Sequence, residues 1–181
     1  MAVRGFNTAY PGDTDGLPLF SASHTLPNGG TFSNLMATPL SHSKPALVAA
    51  RTQIATWPGH DGLIEGEDVM AAVFPVAQWA VWEELKGSTL TPREGNFAEI
   101  NVVNSSDKLN FELIEWKYWQ NTTTNWMLLT GVEGGLRWLW RRKPKSKSYI
   151  DDDNEVMKFK ISGRWARKWS DPRGADRKSV V

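Results

Sequence analysis

Residues 13–34 read DTDGLPLFSASHTLPNGGTFSN and bring Ser21, Ser23 and His24 together in a stretch rich in turn formers. A serine beside a histidine is the raw material of a nucleophile and its base. Side chains at neighbouring positions seldom face one another, however, and catalytic triads gather residues that are far apart in sequence. No G-x-S-x-G elbow occurs anywhere in the chain. Ser23 and His24 therefore do not read as a catalytic dyad, and no catalytic residue is assigned.

Metal and cofactor chemistry fare no better. His24, His42 and His60 are widely spread, without the H-E-x-x-H or paired Cys/His spacing that would gather ligands on one face. Cysteine is absent, which removes disulfides, thiolate nucleophiles and thiolate ligands. Asp151-Asp152-Asp153-Asn154-Glu155 has the charge of a calcium loop but not its alternating ligands and central glycine, and reads as an acidic tight turn between two basic strands. Gly131, Gly134 and Gly135 match neither the dinucleotide fingerprint nor the P-loop. No cofactor and no metal are expected. The tract RRKPKSK supplies Arg141, Arg142, Lys143, Lys145 and Lys147, which suit a sequence-independent contact with polyanionic DNA. No base-reading motif accompanies it.

These negatives leave a protein that works by contact, and its composition points the same way. Of 181 residues, 40% are hydrophobic and 23% charged, as in ordinary globular domains. The net charge of +1 conceals a division: residues 1–135 carry 7 Lys/Arg against 14 Asp/Glu, and residues 136–181 carry 14 against 6. Ten tryptophans are present, seven of them at or after Trp116. That is more than a small core readily absorbs, so some should anchor an interface or form a stacking platform. The N-terminus lacks a signal-peptide run and no segment is apolar enough to span a bilayer, so a soluble intracellular product, or one released without a secretory signal, is expected, without membrane contact.

The elements that must position these residues are α+β, with helices early and an antiparallel sheet late. Residues 1–39 look irregular, and a loop of that length is usually functional or ordered by a partner. Ser43 is a fitting N-cap for a helix with Leu47, Ala50, Ile54 and Trp57 at helical spacing, stopped by Pro58-Gly59. VMAAVF (69–74) reads as a buried strand broken by Pro75. VAQWAVWEELKG then reads as a helix with Val76, Trp79, Ala80 and Leu85 inward and Gly87 at its C-cap. FAEINVV, LNFELIEW and NWMLLTG follow as strands, the last two joined as a hairpin through residues 121–125. GLRWLWRR should place Trp138 and Trp140 on one face and Arg137, Leu139 and Arg141 on the other. KPKSKSYIDDDN reads as a polar connection, and EVMKFKISGRW alternates Met157, Phe159 and Ile161 against Lys158 and Lys160.

The order of motifs resembles that of tailed-bacteriophage major capsid proteins of the Hong Kong 97-type fold, among them the Mu-like head subunits. The resembling segments are Asp15-Gly16 through Leu19-Phe20-Ser21 to His24, then Asn28-Gly29-Gly30 to Asn34, the Leu40-Ser41 helix, and the strand and helix from Val69 to Lys86. Trp126-Met127-Leu128-Leu129 and Arg164-Trp165 through Asp171-Pro172-Arg173-Gly174 extend the likeness over roughly residues 6–174. The chain starts just upstream of the Asp15 loop, and the family's N-terminal arm, extended loop and long P-domain helix have no counterpart in it.

The resemblance implies an extended loop region (1–39), an A-domain-like α+β region (40–135) and P-domain-like strands with a C-terminal tail (136–181). It implies a non-enzymatic subunit that assembles with copies of itself into an icosahedral shell around packaged DNA. Scaffold, portal or decoration proteins would be further partners, and the virion, assembled in the host cytoplasm, its location. On this reading His24 is a hydrogen-bonding structural residue. Trp138, Trp140, Trp165, Trp169, Asp171 and Arg173 are subunit-interface residues, and the basic tract faces DNA. Without a long helix, the strands after Gly135 would keep uncovered apolar faces. The rival reading is a carbohydrate-binding module with Trp116, Trp119 and Trp126 as its platform, although Trp116 and Trp119 would face opposite sides of a strand.

Overall fold

The computed structural model describes residues 9, 11, 15–36, 40–92, 98–119, 125–151 and 153–178. The expected 121–125 hairpin loop lies outside them except for Asn125.

A four-stranded mixed sheet organises the body. Its order is β10 (Ala175–Lys178), β7 (Trp126–Thr130), β3 (Val69–Pro75), β6 (Glu112–Trp116). The β3–β6 pairing is parallel and the other two are antiparallel. The continuous apolar run of β3 suits a strand buried on both faces, and it takes the central place. β6 and β7 therefore flank β3 and do not form the expected hairpin.

Alternation along the strands sorts two cores. Ala72 and Phe74 of β3, with Trp126 and Leu128 of β7, face helix α1 (Lys44–Ala55) and helix α2 (Trp79–Gly87). Val73 and Met127 face the other way, onto Leu19, Phe20, Trp119, Trp169 and Ala175. The described segment 15–36 thus straddles both cores, with Leu19 and Phe20 on the sheet face opposite the helices and Leu26 and Phe32 among the helix-side residues. Its regular part is one short ladder of β1 (His24–Thr25) and β2 (Thr31–Phe32), closed by Gly29 at φ 86°.

α1 forms where its cap and stripe require. The Ser43 hydroxyl accepts from the Ala46 amide at 3.3 Å, Pro45 sits in the first turn, and Ala46, Leu47, Ala50 and Ile54 are buried. Burying Leu47 and Ile54 contributes about 1.5–3 kcal/mol each.

α2 departs from expectation. Val76–Gln78 form a 3₁₀ turn, whose tighter winding rotates the stripe that follows. Trp82 therefore points inward, fully buried and stacked on Phe74 at 5.1 Å, while Trp79 is 57% exposed and Val76 and Ala80 are also exposed. Gly87 is the last helical residue and Ser88 the cap.

FAEINVV is also divided. β5 (Ala98–Ile100) pairs with β4 (Leu90–Pro92), and Asn101 then starts a helical turn, α3 (Val102–Ser105), by accepting from the Val103 amide. The Asn101 amide nitrogen donates to the carbonyls of Leu85 and Ser88, so one polar side chain ends a strand, caps α3 and holds α2.

The last large element is a long antiparallel hairpin, β8 (Leu136–Asp151) and β9 (Val156–Trp169). KPKSKSYID continues β8 where a connection was expected. The acidic turn stands as read, with Glu155 left-handed at φ 52°. Residues 170–178, grouped with these strands in the sequence division, instead return to the body and end in β10 beside β7.

Candidate functional site

The β8–β9 hairpin is an arm. No residue of β8 is buried, and none of β9 is before Trp169. At about 3.3 Å per residue its strands run roughly 50 Å. The arm is anchored at a close backbone approach. A Cβ on Gly174 would lie 2.5 Å from the Gly135 Cα, and the amides of Ser170 and Asp171 both donate to the Gly134 carbonyl.

The arm has two unlike faces. Register shifts after Trp140 and after Arg142 place extra residues on β8, leaving β9 in unbroken alternation. Met157, Phe159, Ile161, Gly163 and Trp165 thus share one face, joined across the ladder by Trp140, Trp138 and Ile150. Trp138 and Trp165 stack at 6.1 Å and 13°, with Trp140 within 5.8 Å of each. The other face presents Lys145, Lys147, Lys158, Lys160, Arg142 and Arg164. Residues 136–150 and 156–169 together hold 11 Lys/Arg and no Asp/Glu, and the acids are confined to the tip. There Lys158 pairs with Asp151. At the β8 irregularity a cleft of about 590 Å³ opens, lined by Trp140, Arg141, Gly163, Arg164 and Trp165 among others.

The proposed interface residues divide between arm and interior. Trp138, Trp140 and Trp165 are exposed, whereas Trp169, Asp171 and Arg173 are buried and offer no contact surface. The reason is the return of the chain into the sheet. Arg173 donates to both Asp171 carboxylate oxygens and, through Nη1, to Glu65 at 2.5 Å. These partners, the Asp171 bond foremost, raise its pKa and keep it charged. Glu67 lies nearby with its pKa raised, chiefly by desolvation. Arg173 is thus engaged by carboxylates on every side of its fork. Arg141, Arg142, Lys143, Lys145 and Lys147 all lie exposed on the arm.

His24 is fully buried. Its Nδ1 lies 2.5 Å from Asp15 Oδ2, and its Nε2 donates to the Leu19 carbonyl at 3.2 Å. Both ring nitrogens are occupied by structure, so neither serves a nucleophile. Sequence reasoning missed Asp15 as the partner and Asn34 as the hub. Asn34 accepts from the Ser21 amide and donates to the carbonyls of Leu19, Pro172 and Ala175. A glycine after Asp15 is the one local hint, and the contacts of Asn34 at 138 and 141 positions' separation leave none. Among the described residues no His/Cys/Asp/Glu group is placed to hold a metal, and no helix is long and apolar enough to cross a membrane.

The carbohydrate platform is not assembled: Trp126 and Trp119 are buried and Trp116 is half-buried. No family model matches the chain, nor does any curated protein or solved structure.

Proposed function

We propose that the chain is a structural subunit of a self-assembling shell, a major capsid protein of the Hong Kong 97 type enclosing packaged DNA. The observation that carries the reading is the arm: a long hairpin with an exposed face rich in large apolar side chains, attached to a well-packed body. Monomeric proteins seldom display so long an apolar strip, whereas subunits that meet repeatedly do. The cationic face of the same arm suits an inner surface against DNA.

A second feature supports it. Two of the segments that resemble the capsid family, the Asp15–Asn34 loop and Asp171-Pro172-Arg173-Gly174, are stitched together by Asn34. The motifs thus belong to one structural unit.

Negative-stain electron microscopy of the purified chain, with its intact mass from the same sample, tests the proposal. Closed particles of uniform size are expected. A homogeneous monomer at all concentrations and salts would overturn assembly by this chain alone.

A further inference from the structure

We propose that the apolar face of the arm is covered by the same face of a second copy, two hairpins stacking about a twofold axis into a four-stranded sandwich. The proposal rests on the assembly reading in taking the occupant to be another copy of this chain, and it adds which surfaces meet.

Area is the first argument. Trp138, Trp140 and Trp165 at one end and Met157, Phe159 and Ile161 toward the tip are 45–78% exposed. A large aromatic side chain carries about 150–250 Å², so these six together offer on the order of 800 Å², the share each partner gives to an interface of standard size. An isolated two-stranded ribbon is also marginal alone and gains stability when its apolar face packs on another layer. Sheet-on-sheet stacking at a spacing of about 10 Å supplies that layer.

Charge selects the occupant. The acidic body of a neighbour complements the arm's lysine face and would leave the apolar face open. By alternation the apolar face carries one charge, Arg167, beside Trp165 and opposite Trp138. Ser146 and Ser148 also lie on this face, opposite Ile161 and Phe159, and its cover must be largely apolar. Among the described residues, exposed large apolar side chains of the body occur singly, as Val48, Met70 and Tyr118, or in short pairs, as Leu63-Ile64, Val76 with Trp79, and Ile100 with Val102, none forming a strip of six. The arm itself presents the matching strip.

Its edges argue for stacking over strand addition. β8 carries two register shifts, Pro144 and a run of lysines, and the regular β9 carries Lys158, Lys160, Arg164 and Lys168, charges that discourage pairing with a further strand. In the stacked pair the lysine faces point away from each other across the sandwich. Their residual repulsion acts over a distance comparable with or longer than the roughly 8 Å Debye length at physiological salt. Association through the apolar faces should therefore strengthen as salt is raised, whereas docking of the lysine face on an acidic surface or a nucleic acid should weaken.

Because the chain has no cysteine, a single introduced thiol is an unambiguous reporter. Full-length Ile161→Cys, treated with a short bismaleimide, is expected to give a covalent dimer on a denaturing gel. Lys160→Cys, on the opposite face, is expected to give none. In sedimentation velocity the wild type should associate more at 500 than at 50 mM NaCl, and Phe159→Lys should reduce association at least tenfold with an unchanged near-ultraviolet circular dichroism spectrum.

Failure of Ile161→Cys to cross-link, a strictly monomeric wild type, or association that weakens with salt and survives Phe159→Lys would each overturn the proposal. The last result would favour the acidic body or a polyanion. Cross-linked dimers without closed particles would sink the shell reading and leave the arm pairing standing. Closed particles in which Ile161→Cys does not cross-link would do the reverse.

Discussion

Arg173 shows how a residue's role depends on what surrounds it. It sits in a surface-like Asp-Pro-Arg-Gly segment, yet it is 5% exposed and shares its guanidinium between Asp171 and Glu65. Arg173→Met leaves the buried Asp171 carboxylate without its counter-charge and should cost about 3–5 kcal/mol, read as a lowered urea midpoint. Asp171→Asn combined with Arg173→Met should cost less than the two single changes summed, since the second removes a charge the first has already stranded. Any loss of assembly in Arg173→Ala would then follow from the body unfolding.

His42 gives a second test at this scale. It lies between Trp82 and Trp126 with its Nε2 unpartnered, and desolvation lowers its pKa from 6.5 to about 4. The folded state thus favours the neutral ring. The unfolded chain binds the extra proton first, so this contribution is present above about pH 6.5 and is lost as pH falls toward 4. His42→Phe should flatten that part of the stability–pH profile, by on the order of 1–2 kcal/mol after allowance for the ring's partial exposure. Chemical denaturation of both proteins from pH 7 to 4 measures the difference.

Among the elements, the junction of arm and body is the most sensitive. Gly135 and Gly174 touch through their backbones, and no side chain fits between them. Gly174→Ala would set a Cβ 2.5 Å from the Gly135 Cα and should destabilise by about 1–3 kcal/mol, checked by thermal denaturation. The α1 cap is a milder test: Ser43→Ala should cost about 1 kcal/mol in the same assay. These two elements also differ in legibility. α1 declares itself in its cap, proline and spacing because all its determinants are local. The inward face of α2 depends on a 3₁₀ turn that shifts the phase of its apolar stripe, and the VAQWAVW pattern fits either phase.

For the molecule as a whole, the body and the arm divide the labour. The body holds the helices, the mixed sheet and the loop segment, and buries Trp57, Trp82, Trp119, Trp126 and Trp169. The arm exposes Trp138, Trp140 and Trp165 and most of the positive charge. Replacing residues 137–167 by a Gly-Ser turn of about four residues should leave a folded body, because Gly134 and Ser170 are already hydrogen-bonded neighbours. Near-ultraviolet circular dichroism should retain the buried-tryptophan signal while size-exclusion chromatography reports a monomer. Loss of the folded signal would show that the body depends on the arm.

Much at short range was decided by sequence alone: the capped α1, the buried β3, the acidic turn, the alternation of β9 and the separation of charge between the two parts of the chain. Each rests on contacts or periodicities within a few residues. Tertiary structure alone decided the burial of Trp169, Asp171 and Arg173, the placing of β3 between β6 and β7, and the role of residues 15–36 as part of both cores. Those outcomes depend on pairings between distant segments, such as Asn34 with Pro172 and Ala175. A local pattern records which face of a strand is apolar, but the partner that covers it is chosen by the whole fold, or, for the arm, by a second molecule.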